Sequence, residues 1–534
     1  MPSAILSLFL VAVFVTIGPV HSIYSSRFLT IPKETKYEYE TKYFDSLVDH
    51  FSFTGGKTFP LKYLISTKSF VKGGPILFYT GNEGPIETFA ENTGFMWDNA
   101  PVLKAALIFA EHRYYGASLP FGNESFQDPE HFGFLTAEQA LADYAALIAN
   151  LTTTNPDFQS SPVVAVGGSY GGMLAAWMRM KYPNLVLGDI SLRFLPQSLF
   201  AMVPMAPNHS SIASSAPVWM FPNMSDCGGF SLVATEVFKK NGSEECEKNV
   251  GAIWDRITDL SKAPSGMALL TNMFKLCEPL TEVQQLTGYL KDFLGTIAMV
   301  NYPYSASFLG NFPPWPVSYF CQNLNTFDPE EQLAIAVSHF ATSFRRLTNY
   351  TKTQKCVNLT EDSNIDGKTW ERQTCMDMIE PECSDPARSM FPPSQWDAEV
   401  YSLNCQKKFA VRPRFGLANI AFWGKHIRTA SNIVFSNGDL DPWSAYGVLD
   451  NADVPHCNVI RIPSGAHHLD LRAANDADPE DVKNARASQM EIIQKWISQW
   501  EFFPNLGVRK PGKSSRSFRD VFVYLISVVR PNPR

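Results

Sequence analysis

The sequence predicts an α/β fold, a largely parallel sheet with helices on its faces, interrupted by a mostly helical insertion stapled by its own disulfides. Three observations carry this. Near-continuous apolar runs at Gly74–Thr80, Ala105–Ala110 and Val163–Val166 are the kind of strand that is buried on both faces in the middle of a parallel sheet. The same grammar returns far downstream, at Ser431–Ser436 and Cys457–Ile462. Between the two blocks lie eight of the nine cysteines, Cys227, Cys246, Cys277, Cys321, Cys356, Cys375, Cys383 and Cys405. A chain of 534 residues that is 45% hydrophobic and 18% charged is too apolar for disorder and too long for one simple core.

In chain order, Ala4–Val15 is a short apolar core followed by Gly18, Pro19 and small residues up to Ser22, so residues 1–22 read as a secretory signal. Entry into the secretory pathway makes the cysteines disulfide candidates. It also makes Asn123, Asn150, Asn208, Asn223, Asn241, Asn349 and Asn358, each in an Asn-x-Ser/Thr sequon, candidate glycan sites. Tyr43–Ser66 reads as short β segments, and residues 38–217 as the first part of the core. Thr136-Ala137-Glu138-Gln139 resembles a capping box that opens a helix through Leu151, with Leu141, Tyr144, Ala145 and Ile148 on one face.

Residues 218–406 read as the cap, helical by pattern over Asn249–Leu260, Val283–Ala298 and Pro329–Arg346. Residues 407–503 complete the core and end in an amphipathic helix over Pro479–Trp500, with Val482, Ala485, Met490, Ile493 and Trp496 on its apolar side. Residues 504–534 read as a poorly ordered tail whose apolar run, Val521–Val529, is too short to span a membrane. Cys457 lies outside the cap block and is expected as a free thiol. The net charge of −7, without a Lys/Arg run in the globular part, excludes nucleic acid as an expected partner. No Cys-x-x-Cys or His-x-x-x-His spacing supports a metal, and no cofactor is expected.

The chemistry is concentrated at Gly167-Gly168-Ser169-Tyr170-Gly171-Gly172, where an apolar strand runs into a serine between glycines and straight on into a helical pattern. Such a strand-turn-helix exposes the serine hydroxyl and aims helix N-terminal N–H groups at a developing oxyanion. A serine nucleophile needs a base and a group to orient it, in the order Ser, Asp, His. Two returning strands end in suitable loops, Asn437-Gly438-Asp439-Leu440-Asp441-Pro442-Trp443 and Gly465-Ala466-His467-His468. Spacing alone leaves Asp439 and Asp441 open as the acid, and His467 and His468 as the base.

These segments, with Gly81-Asn82-Glu83-Gly84 and Glu111-His112-Arg113-Tyr114-Tyr115-Gly116, resemble the lysosomal Pro-X carboxypeptidase and dipeptidyl peptidase II family of serine peptidases over roughly residues 38 to 500. Asn92-Thr93-Gly94-Phe95-Met96-Trp97-Asp98 leans toward the carboxypeptidase branch. The resemblance implies an α/β-hydrolase fold with the cap inserted before the last core strands. It also implies Ser169 as nucleophile, Asp441 as acid and His467 as base. The oxyanion donors would be the N–H of Tyr170 and one near Gly81 or Asn82. The bridges it implies are Cys227–Cys383, Cys246–Cys321, Cys277–Cys356 and Cys375–Cys405. The implied activity is hydrolysis after a penultimate proline, releasing the C-terminal residue, with release of N-terminal X-Pro dipeptides as the alternative. Met173, Trp443 and Glu83 are the expected substrate pocket, the former two offering an apolar slot for the proline ring. The expected partners are peptides with proline next to a terminus, in a lysosomal or extracellular setting; no membrane span is expected once the signal is removed, and a homodimer stays open.

Three stretches depart from the family pattern, one of them the extension from Lys510 to Arg534 past the last expected helix. Residues 189–211 have no counterpart between the nucleophile helix and the next core strand; a displaced strand there would leave an inactive hydrolase-like binding protein. In the cap, Arg372, Glu380 and Glu382 stand where the family has Tyr or apolar residues, in a stretch expected to approach the substrate.

Overall fold

The computed structural model describes residues 36–159, 161–185, 210–324, 332–359 and 365–502. The signal at 1–22, the tail at 504–534, the Asn208 sequon and residues 189–209 of the unmatched segment lie outside the described residues. Eight strands form one sheet: β1 Glu40–Leu47, β2 Thr58–Ser66, β3 Ile76–Thr80, β4 Ala106–Ala110, β5 Val163–Gly168, β6 Ser210–Ser214, β7 Ser431–Gly438 and β8 His456–Ile462. Their order is β1-β2-β4-β3-β5-β6-β7-β8. The first two pairings are antiparallel and the remaining five parallel. This is an α/β-hydrolase fold. Strands β3 to β6 are buried along their whole length, which is why they carry apolar or small side chains on both faces.

Strand β3 lies between β4 and β5, so chain order reverses across it and a crevice opens at the carboxyl ends of β3 and β5. That crevice receives Gly81–Gly84 from β3 and Ser169 from β5. Strand β6 corrects the expectation for residues 189–211: Ser210 and Ser211 are its first two residues, paired with Val164 and Ala165 of β5, and Ser211 also pairs with Ile433 of β7. The extra segment therefore leaves the strand in register, consistent with the slow, logarithmic cost of lengthening a loop.

The Ala137–Thr154 helix starts where its capping residue predicts, with the Thr136 side chain accepting from the Gln139 N–H. Its buried face includes Leu141, Tyr144, Ala145 and Ile148. Behind it sits a buried ion pair. Arg113 Nε and Nη2 donate to Asp143 at 2.7 Å each, and both side chains are fully buried. The same guanidinium donates to the carbonyls of Val48 at 2.7 Å and Leu47 at 3.0 Å, tying the end of β1 to the helix.

The cap lies between β6 and β7. Its main helices are Glu244–Lys262, Val283–Met299, Leu333–Thr348, Ile365–Thr374 and Ala398–Phe409. The helix expected from Pro329 begins at Leu333, and the last of these crosses the expected boundary at 406. Disulfides join Cys227 to Cys383, Cys246 to Cys321, Cys277 to Cys356 and Cys375 to Cys405. Cys457 is free and buried, and burial pushes its thiol up to about 11, which makes it a poor nucleophile. Asn123, Asn150 and Asn223 are exposed, whereas Asn241, Asn349 and Asn358 are partly buried. Among the described residues no helix is long and apolar enough to cross a membrane.

Candidate active site

Ser169 stands between β5 and the Tyr170–Lys181 helix with φ 58° and ψ −131°, a backbone state that a non-glycine residue holds only under constraint. The constraint is visible. The Ser169 N–H donates to the Ser214 carbonyl at 3.0 Å, and the Thr80 hydroxyl donates to the Gly171 carbonyl at 2.8 Å. Asn82 clamps the turn from the other side: its amide donates to the Gly168 carbonyl at 2.7 Å while its side-chain oxygen accepts from Tyr79 Oη at 2.8 Å. A Cβ at Gly171 would lie 2.3 Å from Asn82 Oδ1 and 2.6 Å from the Thr80 carbonyl, so this position requires glycine. At Gly81 a Cβ would lie 2.2 Å from the Ala110 carbonyl, a requirement of packing against the end of β4.

The alternatives left open by spacing separate in the fold. Asp441, fully buried at the end of β7, has its Oδ2 2.9 Å from His467 Nδ1 and accepts the Trp443 N–H on Oδ1 at 3.0 Å. Asp439 points elsewhere, into an ion pair with Arg461 at 2.8 Å. His468 lies beside His467, ring centroids 4.4 Å apart, but its N–H donates to Ser215 Oγ and its ring packs edge-on against Phe308. Burial, with His467 next to it, holds the His468 imidazole well below its ordinary pKa, so it stays neutral.

The cap fixes the base. The His467 N–H donates to the Met299 carbonyl at 3.0 Å, and Tyr302 Oη donates to the His467 carbonyl at 2.9 Å. Met299 Sδ accepts from Trp443 Nε1 at 3.1 Å. Sequence reading did not find these supports, because nothing local to Met299 or Tyr302 signals contact with a loop more than a hundred residues away.

Ser169, Tyr170, His467 and His468 line one cavity with Asn82, Glu83, Met173 and Trp443. Gly81 is not among its lining residues; its carbonyl accepts from Tyr144 Oη at 3.0 Å. The remaining walls include Met220, Met299, Phe308, Trp370 and Glu380, so core and cap enclose the site together. Of the three unusual cap residues, only Glu380 lines this cavity. Arg372 corrects the expectation that it approaches substrate: its guanidinium lies among the Phe126, Phe132 and Phe409 rings at 5.1, 5.9 and 5.1 Å. Burial pushes Glu83 up to about 7, with a hydrogen bond from its own backbone acting the other way.

Behind Tyr170 runs a buried polar chain. Tyr170 Oη accepts from Gln373 Nε2 at 2.7 Å, and Gln373 Oε1 accepts from Tyr115 Oη at 2.8 Å. His112, whose imidazole burial lowers to about 4, lies 2.7 Å from the Arg113 carbonyl through Nδ1 and 3.0 Å from Tyr170 Oη through Nε2. A carbonyl can only accept, so Nδ1 carries the proton and Nε2 takes the one from Tyr170.

Nearby, Asp377 accepts the Ala137 N–H at 2.7 Å, and desolvation raises its carboxyl to about 7. A raised carboxyl favours the fold below its unfolded pKa, and that advantage is lost as pH climbs through about 7. Asp377→Asn keeps an acceptor for Ala137 and never ionises. It is expected to melt like the parent at pH 4 and higher than the parent at pH 8, by about 2–4 °C for each kcal/mol of ionisation cost removed. Melting curves at the two pH values check this.

Among the described residues the cluster with metal-ligand spacing, Asp226 with Cys227 and Cys383, has both sulfurs joined in a disulfide. The profile of the serine carboxypeptidase S28 family matches residues 46–192 and 207–489, leaving 193–206 unmatched inside the longer stretch that sequence reading set apart. The chain is 42% identical over 475 residues to the lysosomal Pro-X carboxypeptidase of Mus musculus, covering 88% of this chain and 91% of that protein. The Homo sapiens enzyme of that name is also 42% identical, with 88% and 90% covered. Prolyl carboxy peptidase like protein 5 of Caenorhabditis elegans is 37% identical, with 87% and 91% covered.

Proposed function

The chain belongs to the serine carboxypeptidase S28 family and is a serine-type peptidase, and on that premise we propose that it cleaves after a penultimate proline through an acyl-enzyme on Ser169. The observation that carries this reading is the 2.9 Å contact between His467 Nδ1 and Asp441 Oδ2, with His467 and Ser169 lining the same cavity. A carboxylate accepts, so His467 donates through Nδ1 and keeps Nε2 to take the serine proton.

Ser169 Oγ then attacks the prolyl carbonyl while its proton passes to His467, and Asp441 stabilises the imidazolium. The backbone N–H groups of Tyr170 and Asn82 receive the oxyanion. Collapse breaks the C–N bond as His467 returns the proton to the leaving amine. Water, deprotonated by the same imidazole, hydrolyses the ester and regenerates the serine. Met173, Met220 and Trp443 offer the apolar walls a proline ring fits. The names of the mammalian relatives support a lysosomal setting.

One observation favours the dipeptidyl alternative: the cavity lining contains two carboxylates, Glu83 and Glu380, and no Lys or Arg. A free C-terminal carboxylate finds no strong cation there, whereas an N-terminal ammonium finds acids. Two peptides containing Pro-X, one amidated at the C-terminus and one acetylated at the N-terminus, separate the modes. A carboxypeptidase cleaves only the acetylated one and a dipeptidyl peptidase only the amidated one. Fluorophosphonate labelling of the wild type, beside Ser169→Ala, tests whether the site assembles at all; absence of labelling in folded protein would favour the binding-protein reading.

A further inference from the structure

No Lys or Arg lines the catalytic cavity, yet one carboxyl oxygen on its wall is left unused by the protein. Glu83 is only 7% exposed, lines the cavity with Ser169 and His467, and has its Oε2 buried without a hydrogen-bond partner among the described residues. Glu111, which follows the neighbouring β4, shows the ordinary solution: its oxygens are met by Lys62 Nζ at 2.7 Å, Ser118 Oγ at 2.7 Å and the Ala117 N–H at 2.9 Å. Buried polar atoms are almost always partnered, so Glu83 Oε2 is set for a group that arrives with the ligand.

Its place is on the leaving-group side. Glu83 follows Asn82, whose N–H is assigned to the oxyanion, and it feels the charge of His467, the group that returns a proton to the leaving amine. In a released C-terminal residue the carboxylate carbon is only two bonds from that amine, so a group beside His467 is also beside the carboxylate. A carboxyl can receive a carboxylate when the pair shares one proton, the neutral acid donating its O–H to the anion. Burial supplies that condition by raising Glu83 to about 7. The titratable groups around it are Tyr79 on β3, Tyr170 on the nucleophile helix, His467 and His468 on their loop, and Glu380 from the cap. Burial keeps the two phenols and His468 neutral, leaving His467 to favour the Glu83 anion when it is protonated.

We propose that Glu83 determines specificity for a free C-terminus, its protonated carboxyl donating a hydrogen bond to the terminal carboxylate of the peptide's leaving residue. This role rests on the serine-peptidase reading of Ser169 and on release of the C-terminal residue, and it names the group that recognises that terminus. A neutral acid binds an anion without the cation that the cavity lacks. Once ionised, the same side chain repels the carboxylate, so binding falls with the protonated fraction as pH rises through about 7.

The test measures kcat and KM for an N-acetylated Pro-X peptide with a free C-terminus, from pH 5 to pH 8, in the wild type, Glu83→Gln and Glu83→Leu. The rate of fluorophosphonate labelling, followed in parallel, reports Ser169 and His467 without any substrate carboxylate and shows that each variant is folded. The wild-type KM is expected to rise about tenfold from pH 6 to pH 8, as the protonated fraction of Glu83 falls to about one-tenth. Glu83→Gln keeps an N–H donor that never ionises, so its KM should stay flat and lie below the wild type's at pH 8. Glu83→Leu removes the donor and should raise KM about ten- to a hundredfold at pH 5, the loss expected for a hydrogen bond to a charged group. If a variant fails to label, the pH dependence of the wild-type KM decides alone. A wild-type KM flat across this range, on a peptide that is turned over, overturns the assignment and leaves the serine-peptidase reading standing. A KM that falls with rising pH, measured on a peptide with a free N-terminus and weakened by Glu83→Gln, would mean that the Glu83 anion holds the substrate ammonium, and overturns the assignment in favour of the dipeptidyl mode. Absence of both labelling and turnover in the wild type overturns both readings.

Discussion

Ser169→Ala is expected to lose about 10⁶ in kcat and all fluorophosphonate labelling, and Asp441→Asn about 10⁴ in kcat, with little change in melting temperature for either. The asymmetry with its neighbour makes this specific. Asp439 is as near in sequence to the loop tip as Asp441, yet its carboxylate is committed to Arg461 at the surface, so Asp439→Asn should retain most activity. In Asp441→Asn the amide can still accept the Trp443 N–H, so the Pro442–Tyr446 turn survives. What changes is the group facing His467 Nδ1: an amide N–H selects the wrong imidazole tautomer and offers no charge to the imidazolium. Single-turnover kinetics on the three variants, with circular dichroism as a folding control, decide the assignment. Equal losses for Asp439→Asn and Asp441→Asn would refute it.

The largest stability effect is expected at the other end of the sheet, from Asp143→Ala. That change strands the Arg113 guanidinium in a fully buried site, and loss of one partner of a buried ion pair costs about 3–5 kcal/mol. Ser46 Oγ, which donates to Asp143 Oδ1 at 2.6 Å, and His50, 2.8 Å from the same oxygen, lose their partner too, so the register of β1 against the Ala137–Thr154 helix should loosen. The double variant Arg113→Met/Asp143→Leu replaces the pair with apolar groups and should recover part of the loss, although the carbonyls of Leu47 and Val48 then lack their donor. Denaturant melts of the wild type, the single variant and the double variant measure each term. A single variant as stable as the wild type would show that the pair is not holding this corner.

Much of this protein was legible in the chain itself. Fully buried parallel strands must be apolar on both faces, so β3, β4 and β5 announce themselves as runs rather than alternations. The elbow is legible because its backbone leaves no choice: the approach of Asn82 and Thr80 to Gly171 excludes any Cβ, which fixes glycine in the sequence. The cap is legible through its cysteines, whose bridges close loops of 30 to 156 residues. Where local signals failed, they failed at edges. The segment 189–211 runs into β6 because Ser210 and Ser211 are poor strand formers, and only pairing with β5 and β7 makes them strand.

The choice of Asp441 over Asp439, and of His467 over His468, was not available from spacing. Both members of each pair lie on a loop at the end of a core strand, and what separates them is direction, which the turn at Pro442–Tyr446 and the cap contacts from Met299 and Tyr302 impose. The meaning of the unusual cap residues was likewise hidden: Arg372 and Glu380 are eight positions apart, yet one is stacked among phenylalanines and the other lines the catalytic cavity. Sequence by itself determined which backbone could form and which residue types the chemistry requires, because those constraints act on neighbours along the chain. Only tertiary structure decided which of two equivalent side chains meets its partner and what charge the pocket presents, because those depend on separate segments, such as the Asp441 loop, the His467 loop and the cap at Tyr302, brought within a hydrogen bond's length.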